Sequence, residues 1–227
     1  MIEQYPCVRC SKAGFTGKLP GMEIELKLTI AAADVAILRD LPLLVRYTAV
    51  APFTETLLST YFDTPALYLK QHRSALRVRK TASAWIQTFK GGGQVEGGLH
   101  QRYEWESEVP GPALDLDSLL PLIDLPAARA ILAHPGLAQQ LQPVFTTDFV
   151  RTVWMLQLAQ DTVVELALDQ GQVSAGQASE PISEIELELK AGQLQVLLDF
   201  SETLKQQLPL HPSNVSKAQR GFSLAFP

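Results

Sequence analysis

The segment Met22–Ile30 alternates without a break. Met22, Ile24, Leu26, Leu28 and Ile30 share one parity, and Glu23, Glu25, Lys27 and Thr29 the other. Ser183–Lys190 repeats the pattern, with Ile185, Leu187 and Leu189 set against Glu184, Glu186, Glu188 and Lys190. A period of two belongs to a strand whose two faces meet different surroundings. Each carboxylate row therefore points one way, with neighbours about 6–7 Å apart along the strand. A half-buried strand with a solvated outer face would alternate too. Solvated faces usually mix signs, however, because adjacent like charges repel, and here both strands present almost only glutamate.

Base is segregated in the same manner. Arg77 and Arg79 share a face of Ser74–Thr81, Lys90 lies with Thr88 and Ile86 on Trp85–Lys90, and Arg102 lies with Glu104 and Glu106 on His100–Val109. A closed barrel of about eight antiparallel strands with these rows turned inward accounts for the pattern. The apolar rows then face outward and need helices over them, for which Asp34–Leu41 and Gln193–Gln207 are candidates. Burying charge is costly unless it is paired or metal-bound. Such an interior is expected to hold water, a cation and an anionic ligand. Clustered carboxylates suit Mg²⁺ or Mn²⁺, and arginine pairs with single lysines suit phosphate.

Composition narrows the alternatives. The 227 residues are 46% hydrophobic and 19% charged, with a net charge of −5. Disorder is excluded at that hydrophobicity, and the overall field disfavours a nucleic-acid partner. No stretch of about 18 apolar residues offers a membrane span. The two cysteines, Cys7 and Cys10, cannot form a disulfide framework, so the chain reads as intracellular and cytoplasmic. Their spacing is half a zinc site with no second pair, and they read as two thiols in an arm. Residues 1–21 mix proline, glycine and scattered charge without a period and read as a flexible N-terminal arm. Met22 directly precedes the first strand, so whether residues 1–21 belong to the natural protein stays open. One domain, 22–227, is the simplest account of the rest.

The remaining elements follow from local signals. Asp34 is read as a helix N-cap. Thr54–Asp63 reads as a strand, and Pro65–Gln71 as a short helix with proline at its tolerated first position. Gly91–Gly98, with five glycines in eight residues, reads as a flexible loop. Leu116–Gln142 reads as two short helices. Val144–Leu158 and Thr162–Asp169 read as a hairpin around Gln160-Asp161, followed by a loop over Gln170–Ala178. Ser213–Leu224 reads as a closing helix capped by Ser213 or Asn214.

Glu23-Ile-Glu25-Leu-Lys27 has the Glu-x-Glu-x-Lys form and resembles the signature of the CYTH domain, also called the triphosphate tunnel metalloenzyme family. Further segments support the resemblance in order: Tyr61-Phe-Asp-Thr-Pro65 and Leu76-Arg77-Val-Arg79, then Thr88-Phe-Lys90, and Gly97 through Glu104. After these come Thr146 through Arg151, Glu165 through Gly171, Glu184-Ile-Glu186-Leu-Glu188 and Ser216-Lys217. The chain is similar in these segments to the bacterial inorganic triphosphatase branch. The resemblance implies a mainly β (α+β) fold, an eight-stranded antiparallel β-tunnel with a charged interior and helices packed outside. It implies hydrolysis or rearrangement of triphosphates with Mg²⁺ or Mn²⁺. Relatives of that branch often carry a helical, histidine-rich CHAD domain after the tunnel. It is expected here to be absent or to belong to another polypeptide.

Carried onto this sequence, the resemblance and the face argument place Glu23, Glu25, Glu186 and Glu188 as metal ligands, with Glu104 completing the acidic patch. Arg77, Arg79, Lys90, Arg102 and Arg151 are expected to hold phosphate oxygens, with Lys27 and Lys217 as further contacts. Glu165 and Asp169 share parity and are expected to support a second metal or orient water. Glu184 is inward by parity but is expected near the mouth. Surface placement of Arg151 and a same-face salt pair between Arg102 and Glu104 are the alternatives. The expected substrate is inorganic triphosphate. Thiamine triphosphate, a nucleoside triphosphate, ATP cyclisation and non-catalytic polyphosphate binding stay open, as does the oligomeric state.

Overall fold

The computed structural model describes residues 21–227. Residues 1–20, with the Cys7–Cys10 pair and nearly all of the segment expected as an arm, lie outside the described residues. The strands are β1 (Met22–Thr29), β2 (Phe53–Asp63), β3 (Ala75–Lys80), β4 (Trp85–Glu96), β5 (Leu99–Val109), β6 (Gln142–Gln157), β7 (Val163–Ala175), β8 (Ala178–Ala191) and the short β9 (His211–Pro212). They run antiparallel in the order β5-β4-β3-β2-β6-β7-β8-β1. A β1–β5 pairing, from Met22 opposite Tyr103 to Leu26 opposite Leu99, closes the barrel. Toward its end β1 leaves β5 and continues beside β9, at Leu28 and Thr29.

The outward row of β1 is buried as the alternation requires. Met22, Ile24, Leu26 and Leu28 form one core with Val35, Leu38 and Leu41, and with Leu197, Phe200 and Leu204 of the helix Leu194–Lys205. Those last three recur at helical spacing, which puts one apolar stripe against the sheet. A second outer core joins Leu76, Phe89 and Trp105 to the helical segment that contains Leu119, Ile123 and Ile131. A third lies inside the barrel. Leu57, Tyr61, Phe145, Phe149, Val173 and Ile182 meet Phe222 of the C-terminal helix Lys217–Ala225. Part of the interior is therefore an apolar plug, and the charged lining occupies the remainder.

Two segments expected as loops are strands. Gly91–Gly98 carries β4 on to Glu96, with a register shift between Gly91 and Gln94. Gly92 and Gly93 take φ of 70° and 90° there, which side-chain-bearing residues rarely adopt, so the glycines serve a bulge. Gln170–Ala178 carries β7 to Ala175 and starts β8 at Ala178. Gly171 marks a close strand approach, since a Cβ there would overlap the Asp148 carbonyl and Phe149. Asp34 makes no side-chain cap, and the expected Asp34–Leu41 helix is a short turn followed by Val35–Arg39 and a separate helix Pro42–Tyr47. Leu116–Gln142 contains the α-helices Leu116–Leu119, Pro126–Leu132 and Leu137–Gln140 rather than two, because Pro121, Pro126 and Pro135 interrupt it. The C-terminal helix is capped by Ser216, not by Ser213 or Asn214. Ser216 Oγ accepts from Gln219 N at 3.2 Å and Gln219 Oε1 accepts from Ser216 N at 2.8 Å, a reciprocal capping box.

Candidate active site

Strand registers bring the inward rows together. Glu25 lies opposite Glu188, Lys27 opposite Glu186 and Thr29 opposite Glu184 across β1 and β8. Glu165 and Asp169 of β7 face Glu188 and Glu184. Lys90 faces Glu104, and Glu23 faces Arg102. One cavity is lined by Glu23, Glu25, Lys27, Arg77, Arg79, Lys90, Arg102, Arg151, Glu186 and Lys217, with Tyr61, Thr88 and Ser216 among them. Glu104 and Asp169 stand behind this lining, each against a cation that belongs to it. Glu165 and Glu188 share Lys190, at 3.2 and 2.6 Å. Arg151 is a lining residue rather than a surface charge. Arg102 makes no ion pair with Glu104, whose partners are Lys90 at 2.7 Å and Arg77 at 3.4 Å.

The acids fall into two groups. Asp169, Glu184 and Glu186 each offer an oxygen within 4.8 Å of the others, a grouping that could hold a metal ion. Glu184 is 3% exposed, and it also borders a second opening with Ser213, Val215 and Arg220. Cations already cross this group. Lys217 Nζ reaches Asp169 at 2.6 Å, Glu184 at 2.5 Å and Glu186 at 2.9 Å. Lys27 Nζ reaches Glu184 at 3.1 Å and touches Glu186, and Arg151 reaches Asp169 and Glu186. Burial pushes the Glu186 carboxyl upward, but Lys217, Lys27 and Arg151 together hold it well below the ordinary range.

The second group is less compensated. Glu23 shares Lys90 with Glu104, at 2.7 Å to each acid. Glu25 has Lys27 at 3.8 Å. Burial and the neighbouring Glu186 raise the Glu25 carboxyl, with Lys27 working against them. A buried carboxylate pushed toward its neutral form is one that a cation would stabilise.

Among the bases, Arg79 has no carboxylate within ion-pair distance among the described residues, and its Nε–H donates to Ser59 Oγ at 3.0 Å. Burial, then the charges of Arg77 and Arg151, push its guanidinium down to about 10. Among the described residues the buried Nε of Arg77 has no hydrogen-bond partner. Arg102 donates to Nδ1 of the buried His100, whose Nε2 then donates to the Ser213 carbonyl at 2.9 Å. That arrangement requires a neutral imidazole, and burial, with the Arg102 charge adding to it, lowers the His100 pKa accordingly.

Sequence reasoning gave no role in the site to Tyr61, His100 and Ser216, although each lies in a segment that carries the resemblance. Parity would have found two of them, since Tyr61 shares a face with Ser59 and His100 with Arg102. The Ser-x-x-Gln spacing of a capping box marks Ser216. Asp63, within the Tyr61–Pro65 segment, is structural. Its fully buried carboxylate accepts from Thr64 N at 2.7 Å, Leu69 N at 2.8 Å and Lys70 N at 2.9 Å, fixing the loop that follows β2.

A closed antiparallel barrel with opposed acid and base rows around one cavity defines a charged β-tunnel domain. The chain belongs to the CYTH domain family, whose model matches residues 21–222. It is 39% identical over 208 residues to the inorganic triphosphatase of Haemophilus influenzae, a match covering 89% of this chain and 54% of that protein. The chain thus spans about half the length of that relative. Among solved structures, a Hippeastrum protein studied as an adenylyl cyclase, and described as revealing a dominant triphosphatase activity, aligns with a TM-score of 0.64 at 20% identity, covering 88% of this chain and 95% of that one. The triphosphatase of the Mimivirus capping enzyme aligns at 0.52 and 9% identity, covering 82% and 89%. At those identities the two structures speak for the fold alone. No helix among the described residues is long and apolar enough to cross a membrane.

Proposed function

We propose that this chain is a metal-dependent inorganic triphosphatase that hydrolyses tripolyphosphate to pyrophosphate and phosphate. One observation carries the reading. Arg77, Arg79, Arg151 and Lys217 line the same cavity as Glu23 and Glu25, and among the described residues Arg79 has no carboxylate at ion-pair distance. A site with unspent positive charge beside under-compensated carboxylates suits an anion that arrives with a cation. The 39% identity to an inorganic triphosphatase supports the same activity. Tyr61 is the one aromatic side chain on the lining among the described residues. That gives a nucleobase little to stack on and favours an inorganic substrate.

The donor set fits Mg²⁺ or Mn²⁺. Glu23 and Glu25, with Glu104, Glu186 and Glu188, are hard oxygen ligands, and the raised Glu25 carboxyl is the place where a divalent charge gains most. Bound there, the ion would offset charge developing on the leaving pyrophosphate. The chain's own residues supply the rest. Arg79 and Arg77 grip phosphate oxygens as forks and Lys217 as a point charge. Lys90, held at 2.7 Å from both Glu23 and Glu104, lines the cavity and would face a phosphate oxygen where a metal ion met the charge of those acids. Water adds its oxygen to the terminal phosphorus, the bridging P–O bond breaks toward pyrophosphate, and the water's proton leaves to a neighbouring carboxylate or solvent. Asp169 holds Arg151 and Lys217 in place, and Glu165 steadies Lys190 at 3.2 Å.

The test is phosphate release from tripolyphosphate beside ATP and thiamine triphosphate, with Mg²⁺, Mn²⁺ or EDTA. Fast, EDTA-sensitive release from tripolyphosphate alone is the expected result. Preference for ATP or thiamine triphosphate would reassign the substrate, and tight binding without turnover would make the chain a polyphosphate-binding module.

A further inference from the structure

Phe149 stands where three cations meet. Its ring centroid lies 5.0 Å from Lys217 Nζ, 5.7 Å from the guanidinium carbon of Arg79 and 5.8 Å from that of Arg151. The residue is 1% exposed. The cations come from three elements: Lys217 from the C-terminal helix, Arg79 from β3, and Arg151 from two positions further along β6. Like charges gathered so closely repel; burial first, then the charges of Arg77 and Arg151, lower the Arg79 guanidinium. Asp169 and Glu186 offset part of the charge on Lys217 and Arg151 at ion-pair distance, whereas among the described residues no carboxylate comes that close to Arg79, on which Asp169 acts only from further away. A further carboxylate among them would relieve the repulsion but use up the charge that a polyanion needs. An aromatic face attracts cations through its quadrupole and carries no net charge. Glycine opposite the ring makes the arrangement possible. Phe149 pairs with Gly171 across β6 and β7, and any Cβ at 171 would overlap the Phe149 backbone.

We infer that Phe149 is a positioning residue: its buried ring gathers Lys217, Arg79 and Arg151 into one cluster without spending their charge, and so sets the affinity for the polyphosphate anion. This rests on the proposed triphosphatase reading only for the identity of that anion.

The test replaces Phe149 with phenylalanines of rising fluorination, which keep the ring's shape and progressively remove its quadrupole. The same series at Phe89, a fully buried ring stacked on Trp105, is the control. Tripolyphosphate affinity is read by calorimetry in EDTA, and the melting temperature without ligand. At position 149 the affinity should fall stepwise, by roughly three- to thirtyfold over the series, and the melting temperature should fall with it. At position 89 the affinity should not move. An affinity and a melting temperature that ignore fluorination at 149, or respond equally at 89, overturn the inference. If the unmodified protein binds no tripolyphosphate, the triphosphatase reading fails by itself, and the stepwise melting temperatures at 149 against 89 decide the role of Phe149.

Discussion

Arg151 grips Asp169 across the β6–β7 ladder through two parallel contacts, Nε to Oδ1 at 2.8 Å and Nη2 to Oδ2 at 2.7 Å. The two are register partners, so the strands deliver the pair ready-made. Asp169 is fully buried and also takes Lys217 at 2.6 Å. It thereby ties a strand cation and a helix cation to one point beneath the cavity.

Asp169→Asn leaves two buried cations facing a neutral amide. Breaking one side of such a pair costs about 3–5 kcal/mol, and urea unfolding should show a loss of that order. A loss below about 1 kcal/mol would mean that Glu184 and Glu186 compensate on their own.

The same group makes the protein acid-labile. Burial raises the Asp169 carboxyl, but Lys217 and Arg151 outweigh it and leave the pKa below the ordinary value; Glu186 behaves alike. A depressed carboxylate contributes stability that is whole above the unfolded value near about 4 and is lost as pH falls through the folded one. Melting temperature should drop steeply below about pH 4, and the drop should be shallower in Asp169→Asn.

Glu25 carries the opposite sign. Its folded pKa is raised, so its contribution is present at low pH and lost as pH rises through that value. Glu25→Gln should therefore stabilise the metal-free protein at neutral pH, by about 1 kcal/mol, while abolishing metal-dependent turnover. Denaturation in EDTA beside phosphate-release assays checks both halves. A destabilised variant would show that the Glu25 charge is well served by Lys27.

Arg79→Met removes a cation that repels Arg77 and Arg151 and has no carboxylate at ion-pair distance among the described residues. Unfolding free energy should stay within about 1 kcal/mol of the parent or rise. Tripolyphosphate affinity should fall by roughly ten- to a hundredfold, as expected when a charge-assisted contact is lost. Calorimetry with and without the substitution reads the second effect directly.

Gly221→Ala tests the seating of the C-terminal helix. A Cβ at 221 would overlap the Phe145 ring, so the helix must shift or the ring must yield. Overpacking of this kind costs roughly 1–3 kcal/mol, and the displaced helix should carry Lys217 out of the cavity. A variant with parental stability and parental Michaelis constant would show that the helix has room to spare.

Much of the barrel was legible because strand parity survives folding unchanged. Glu23, Glu25 and Lys27 line the cavity, as do Arg77, Arg79 and Lys90. Reading Glu25 against its neighbours was beyond the sequence, since its raised pKa comes from burial and from Glu186 on a strand about 160 residues away. The glycine-rich stretches misled for a related reason. Gly91–Gly98 and Gly171 look like loop material, yet they serve a bulge and a close strand approach that exist only once neighbouring strands are in place.

The sequence by itself determined which side chains share a face, because a strand's period of two is a local, covalent property. That was enough for the inward acid and base rows and for the outer apolar row that the helices cover. Only the tertiary structure decided who neutralises whom. Lys27 and Lys217 cross the Asp169–Glu184–Glu186 group, Glu25 is left under-compensated, and among the described residues Arg79 is left without a carboxylate at ion-pair distance. Those pairings depend on distances of 2.5–3.1 Å between residues far apart in the chain. Coulomb energy falls with distance and with solvent access, so they were set by barrel closure and by the seating of the C-terminal helix.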